Sequence, residues 1–188
     1  MARVRALIEY FSRPHERARS AAEHYAALVA QARRLEFYQL LGVPDTLDGR
    51  FDLIVLHASM YLKRLRAAGP NGRALAQAVF DQMFFNLDQS LRELGVGDIS
   101  LPKKVRKMVS AFYGRAAAYD KALEATDDDA LAEALARNIF AGAPPTESTV
   151  ASFCAYLREA VTALAAAPDE VIVTNGFQWM APSVRQSE

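Results

Sequence analysis

Few side chains in this sequence could carry covalent or metal chemistry. There are three histidines, His15, His24 and His57, and one cysteine, Cys154. A histidine can ligate haem or a metal, or move a proton near neutral pH, and a thiolate can act as a nucleophile. Their settings argue against these uses. His15 and His24 fall on a charged helical stretch, and His57 sits inside the apolar run Leu53 to Leu62. There it reads as a hydrogen-bonded core or rim histidine. Asp52 lies five positions before it, a spacing that puts the two on different helix faces. Cys154 falls beside an apolar stripe, as a structural thiol does. One cysteine excludes an internal disulfide framework and a Cys-based zinc site. The sequence has no Glu-x-x-His pair of the di-iron type. It also has no Gly-x-Ser-x-Gly elbow, phosphate-cradling loop or dinucleotide fingerprint. These residues point away from an enzyme and from a bound cofactor or metal. The alternative is an all-α small-ligand or haem carrier or enzyme using His24 or His57.

Polar residues cluster instead at helix borders. Asp45, Asp48, Asp52 and Arg50 surround a tight turn at Gly49, and Asp81 and Asp88 stand two turns apart on one predicted helix face. They either cap and pair helices or form a polar rim around an apolar groove that receives another helix.

The elements that position these residues read as helical. Val4, Leu7, Ile8 and Phe11 follow the i, i+3, i+4, i+7 rule, and Pro14 ends that helix or opens the next. A second helix over 16–34 offers Tyr25, Leu28, Val29 and Ala32. After Gly42, Pro44 and Asp45 a third follows, with Asp48 as its predicted N-cap. It carries Phe51 through Leu65 and ends before Gly69 and Pro70. A fourth spans 73–94, and a fifth is capped by Ser100 with Pro102 in its first turn. The sixth opens on Asp127, Asp128 and Asp129, which the helix dipole favours, and the seventh covers 148–167. Residues 170–174 are predicted as a short strand and 176–179 as a packed tail. The reading is an all-α, single compact bundle-like domain of six or seven helices with a short C-terminal tail. Its parts are an N-terminal basic amphipathic helix over 1–14, a helical domain over 15–167 and a tail over 168–188.

Composition agrees. The 188 residues are 52% hydrophobic and 23% charged, which excludes a wholly disordered chain. Thirty-five alanines make much of that apolar share helix-forming filler. The longest charge-free run, Val171 to Val184, falls short of the roughly 20 apolar residues of a bilayer span. The N-terminus shows no secretory apolar core with a cleavage site. The net charge of zero conceals a dipole: residues 1–119 carry 18 basic and 11 acidic groups, and residues 120–188 carry 4 and 11. Arg3 and Arg5 near the start, with Lys103, Lys104 and Lys107 at the head of the fifth helix, form a predicted contact surface for anionic lipid or RNA.

Several linked segments resemble the ubiquinol–cytochrome c chaperone family. They are Phe37-Tyr38-x-x-Leu41-Gly42-Val43-Pro44-Asp45-Thr46 and Gly49-Arg50-Phe51-Asp52-Leu53. Next come Phe80-Asp81-x-x-Phe84-x-x-x-Asp88 with Leu91 to Asp98, then Phe112-Tyr113-Gly114-Arg115-x-x-x-Tyr119-Asp120. Leu131 to Asn138 closes the series. The resemblance implies an all-helical, non-enzymatic assembly chaperone that binds newly made cytochrome b of the bc1 complex. Mitochondrial members also associate with the ribosome. The expected client surface is a groove bordered by Arg50, Phe51, Asp52, Asp81, Phe84 and Asp88. DNA is not an expected partner. Glu9 and Glu16 among the N-terminal arginines differ from an acid-poor transit peptide. The expected setting is therefore bacterial and cytoplasmic, peripheral to the inner membrane, with the matrix side as the mitochondrial equivalent.

Overall fold

The computed structural model describes residues 2–183, and their side chains from His15 onward. Among these residues there are eight helices and no strand. Six are long: α1 (Ala2–Ala32), α3 (Leu47–Ala67), α4 (Gly69–Glu93), α5 (Leu101–Glu124), α6 (Asp129–Asn138) and α7 (Glu147–Ala166). Two are short: α2 (Leu35–Gln39) and α8 (Asp169–Thr174). The architecture is all-α, as the periodicity predicts.

The centre is α3, which packs against α1, α4, α5, α7 and α8. From Asp52 to Leu62 only Ile54 escapes full burial, so this stretch is covered on nearly every side. A polar side chain there must find a partner or carry a desolvation cost. His57 Nδ1 lies 2.7 Å from the Leu53 carbonyl, its Nε2 lies 2.8 Å from the Tyr156 hydroxyl, and Gln31 Nε2 donates to that hydroxyl at 2.9 Å and to the Met180 carbonyl at 2.8 Å. A carbonyl only accepts, so Nδ1 carries the proton and Nε2 accepts from Tyr156. One hydrogen-bonded chain thus ties α1, α3, α7 and the C-terminal tail together. His24 Nδ1 and the Tyr61 hydroxyl, 2.5 Å apart, form a second tie between α1 and α3.

Several predicted details change. α1 runs unbroken through Pro14, which gives up one ladder hydrogen bond without ending the helix. Its inward face is Ala21, His24, Leu28, Gln31 and Ala32, while Tyr25 and Val29 are only half-buried. Alanine lets the helices approach closely, and both polar residues have partners, so the predicted apolar stripe finds Leu28 and Ala32 but misses Ala21, His24 and Gln31. The N-cap of α3 is Thr46, whose hydroxyl accepts from the Gly49 amide at 3.1 Å, with Asp48 in the first turn. Gly49 is required by space: a Cβ there would stand 2.1 Å from the Pro44 carbonyl oxygen. Ser100 sits at the α5 N-cap but makes no capping bond with its side chain. Residues 170–174 are helical, not extended. They have no neighbouring strand to complete a ladder, Asp169 and Glu170 suit a first helical turn, and Ile172 is buried. The tail packs as predicted, with Trp179 edge-on to His57 at 5.0 Å and to Phe177 at 4.9 Å.

Candidate functional site

A groove runs along the line where α1 meets α4. Three adjoining hollows of about 370, 460 and 210 Å³ make it up, sharing Gln82 between the first pair and Tyr25, Val29, Arg33 and Asn86 between the second. The α1 wall carries Ala18, Ala22, Ala26 and Ala30, four residues apart, a row of small side chains beside Tyr25 and Val29. The α4 wall carries Ala78, Gln82, Phe85, Asn86 and Ser90, with Gln82 donating to Asn86 at 2.7 Å. Phe80 and Phe84, one turn apart, face inward with their rings tilted against each other at 4.7 Å, which turns the adjacent Phe85 outward. It is 59% exposed. At the far end α3 contributes Leu47, Arg50, Phe51 and Ile54, and Leu47 is 70% exposed. From Arg17 to Arg33 the α1 wall is about 24 Å long at the helical rise, or roughly four turns of a partner helix.

The rim is mainly cationic. Arg17 and Arg33 are exposed and form no ion pair among the described residues. Arg50 donates to Asp45 at 2.7 Å, and that hydrogen bond holds the Asp45 carboxyl below its usual range. Asp81 accepts from Gln77 at 2.7 Å. A groove of this length, with alanines, Val29 and Phe85 between polar edges, can seat an amphipathic helix.

The structure brings together only part of the set expected from the sequence. Arg50, Phe51 and Asp81 line the groove. Asp52 and Phe84 do not: both are buried, Asp52 against Arg115 and Phe84 against Phe80 and Phe112. Asp88 pairs with Arg92 at 2.8 Å, and Arg92 reaches Asp98 at 2.7 Å. Lys103, Lys104 and Lys107 are exposed on the first turns of α5. The side chains of Arg3 and Arg5 lie outside the described residues. Reasoning from sequence missed Phe85, Gln82, Tyr25 and Leu47. The four-residue recurrence of alanine along α1, and the inward spacing of Phe80 and Phe84, were the signals that locate them.

His57, His24 and Cys154 are committed to packing, while His15 is exposed. His57 has both ring nitrogens engaged, and burial holds its pKa down at about 4. His24 is buried and bonded to Tyr61, with its pKa lowered by burial. Burial pushes the Cys154 thiol up to about 11, away from the reactive thiolate. A second hollow of about 240 Å³ between α3, α5 and α7 has a floor of Met60, Leu123, Val161 and Leu164. Lys63 on its rim is neutralised by Asp120 at 3.3 Å and Glu124 at 3.2 Å.

Comparison with known proteins agrees with this architecture. The model of the ubiquinol-cytochrome C chaperone family matches residues 39–179. A crystal structure of the Cbp3 homolog from Brucella abortus superposes with a TM-score of 0.82 at 35% identity, covering 93% of this chain and 97% of that one. Ubiquinol-cytochrome-c reductase complex assembly factor 1 of Xenopus laevis is 29% identical over 120 residues, 64% of this chain and 60% of that protein. Protein CBP3, mitochondrial, of Saccharomyces cerevisiae is 29% identical over 154 residues, 79% of this chain and 45% of that protein. The chain thus spans about half the length of the curated relatives it matches. Matched across most of its length and in its helical fold, the chain belongs to the ubiquinol-cytochrome C chaperone family.

Proposed function

We propose that this protein is a non-enzymatic chaperone for assembly of the ubiquinol–cytochrome c reductase complex, with newly made cytochrome b as its client. The observation that carries the proposal is the family match over residues 39–179. Relatives named as assembly factors of that complex support it. The α1–α4 groove is the proposed client surface. Transmembrane helices expose apolar faces that associate in water, and a groove with a small-residue wall and outward Phe85 and Leu47 covers such a face until insertion. Arg17 and Arg33 on the rim suit the polar end of a client segment. The proposed setting is the cytoplasmic face of a bacterial inner membrane, where ribosome contact would place the groove near the emerging client.

The test is capture of tagged protein from solubilised membranes, read by enrichment of cytochrome b, beside cytochrome b spectra of a deletion strain. Enrichment that Phe85→Asp abolishes while the melting temperature holds supports the groove. Normal cytochrome b levels in the deletion strain, with no enrichment on the wild-type protein, overturn the function.

A further inference from the structure

The turn between α4 and α5 holds apolar side chains in water beside a cluster of cations. Gly95, at φ +80°, closes α4. Its amide donates to the Arg92 carbonyl at 2.9 Å and the Val96 amide to the Leu91 carbonyl at 3.0 Å, the paired bonds of a Schellman termination. Beyond it the Ser100 and Leu101 amides both donate to the Gly97 carbonyl, at 2.9 and 3.1 Å. Arg92 braces the loop through Asp98. The backbone is therefore pinned, and it presents Leu94 at 63% and Ile99 at 100% exposure. Leu101, by contrast, is buried and anchors the start of α5.

The next two turns present Lys103, Lys104, Arg106 and Lys107, all exposed. None of the four pairs with a carboxylate among the described residues. The first turn of α5 contains no acidic residue, so Lys103 and Lys104 sit where the helix dipole is already positive. That placement is unfavourable for the isolated fold, and an anionic partner would relieve it. An ordered apolar tip followed along the chain by four unpaired cations combines the two attractions that hold peripheral proteins to lipid.

We infer that the α4–α5 turn with the first two turns of α5 docks on anionic phospholipid bilayers. Leu94 and Ile99 enter the boundary between headgroups and acyl chains, and the four cations meet lipid phosphates. Charge complementarity selects an anionic partner. The apolar tip selects a bilayer over RNA, which would engage the cations and leave Ile99 in water. The inference is independent of the client groove, which lies along α1 and α4 and uses none of these residues.

The test is sedimentation of the full chain with vesicles of phosphatidylcholine alone or mixed with phosphatidylglycerol. Binding is expected only to the mixed vesicles at low salt, with release near 1 M salt, where the Debye length is about 3 Å. Replacing Lys103, Lys104 and Lys107 together by glutamine should weaken it about a hundredfold, at roughly fivefold per cation. Leu94→Ser with Ile99→Ser should weaken it by about tenfold or more. Both variants change exposed side chains, so unchanged thermal melts identify the losses as docking effects. Three outcomes overturn the inference. One is unchanged binding of the lysine variant, and another is unchanged binding of the serine variant. The third is lysine-dependent binding of polyuridylate with no binding to any vesicle.

Discussion

Arg115 on α5 places Nη1 2.9 Å from Oδ1 of Asp52 on α3, but without the alignment of a hydrogen bond. Both residues belong to the segments that carry the family resemblance, and the pair joins two helices inside the bundle. Burial pushes the Asp52 carboxyl up to about 6, with Arg115 opposing and Asp48 adding a smaller upward push. Desolvation therefore outweighs an imperfectly aligned attraction. The buried hydroxyl of Tyr119 feels both charges and is itself raised, chiefly by burial.

The sign of the pH effect follows. A carboxyl that holds its proton more tightly in the fold than in the unfolded chain contributes stability that is complete below the unfolded value near 3.9. That stability is lost as pH rises through about 6, and its size is about 3 kcal/mol. Asp52→Asn should remove this dependence. Compared with the parent, the variant gains stability between pH 4 and pH 7 in urea melts. A variant that instead falls behind the parent as pH rises would mean that the ionised pair stabilises the fold.

His57 should titrate in the opposite sense. Its pKa is depressed from 6.5 to about 4, chiefly by burial. Its contribution is complete above 6.5 and is lost as pH falls toward 4. In the parent the two dependences oppose each other between pH 4 and 6. Asp52→Asn should expose the acid-side loss due to His57, and NMR titration of the His57 ring should show it neutral at pH 6.

Tyr156→Phe breaks the chain of bonds at its middle, leaving His57 Nε2 without its donor and Gln31 without one acceptor. Stranding buried polar groups costs about 1–3 kcal/mol, partly offset for Gln31 by the Met180 carbonyl. Chemical denaturation should show that loss. Hydrogen exchange should show faster opening of the tail around Met180, because Gln31 ties it to α1. Unchanged exchange at the tail would mean that the packing of Trp179 on His57 suffices.

Gly49→Ala should destabilise by about 1–3 kcal/mol, since its Cβ would meet the Pro44 carbonyl oxygen at 2.1 Å and the Thr46 cap would have to open. Gly97→Ala is the control, because nothing lies within 4 Å of a Cβ there. Thermal melts of the two variants compare them directly.

Asp81 and Asp88 separate groove from scaffold. Asp81 lines the groove, and Asp88 is held in an exposed i, i+4 pair with Arg92. Each substitution to asparagine should cost less than about 1 kcal/mol of stability. Capture of cytochrome b should change for Asp81→Asn and stay at the parent level for Asp88→Asn. Equal effects on capture would disconnect the groove from the client.

The sequence by itself determined the helical class, most helix positions, the packed tail and the family, because these depend on local periodicity, capping residues and linked motifs. It also pointed to Cys154 as a structural thiol and to His57 as a core or rim histidine, since each lies in or beside an apolar stretch, and the fold buries both. What it left open was how polar motif residues divide between core and surface. Asp52 and Phe84 share their segments with Arg50 and Phe51 and with Asp81, yet a helix turns successive residues by 100°. The side that faces a neighbouring helix depends on where that helix packs. The packing of α5 on α3 and α4 buries Asp52 and Phe84, while the meeting of α1 with α4 leaves Asp81 and Phe85 along an open groove. The tail offers the same lesson: Glu170 to Thr174 has strand-like composition, but strand formation needs a hydrogen-bonding neighbour. The fold supplies instead the Tyr61 hydroxyl for the Ile172 carbonyl and a buried site for the Ile172 side chain, which a single helical turn satisfies.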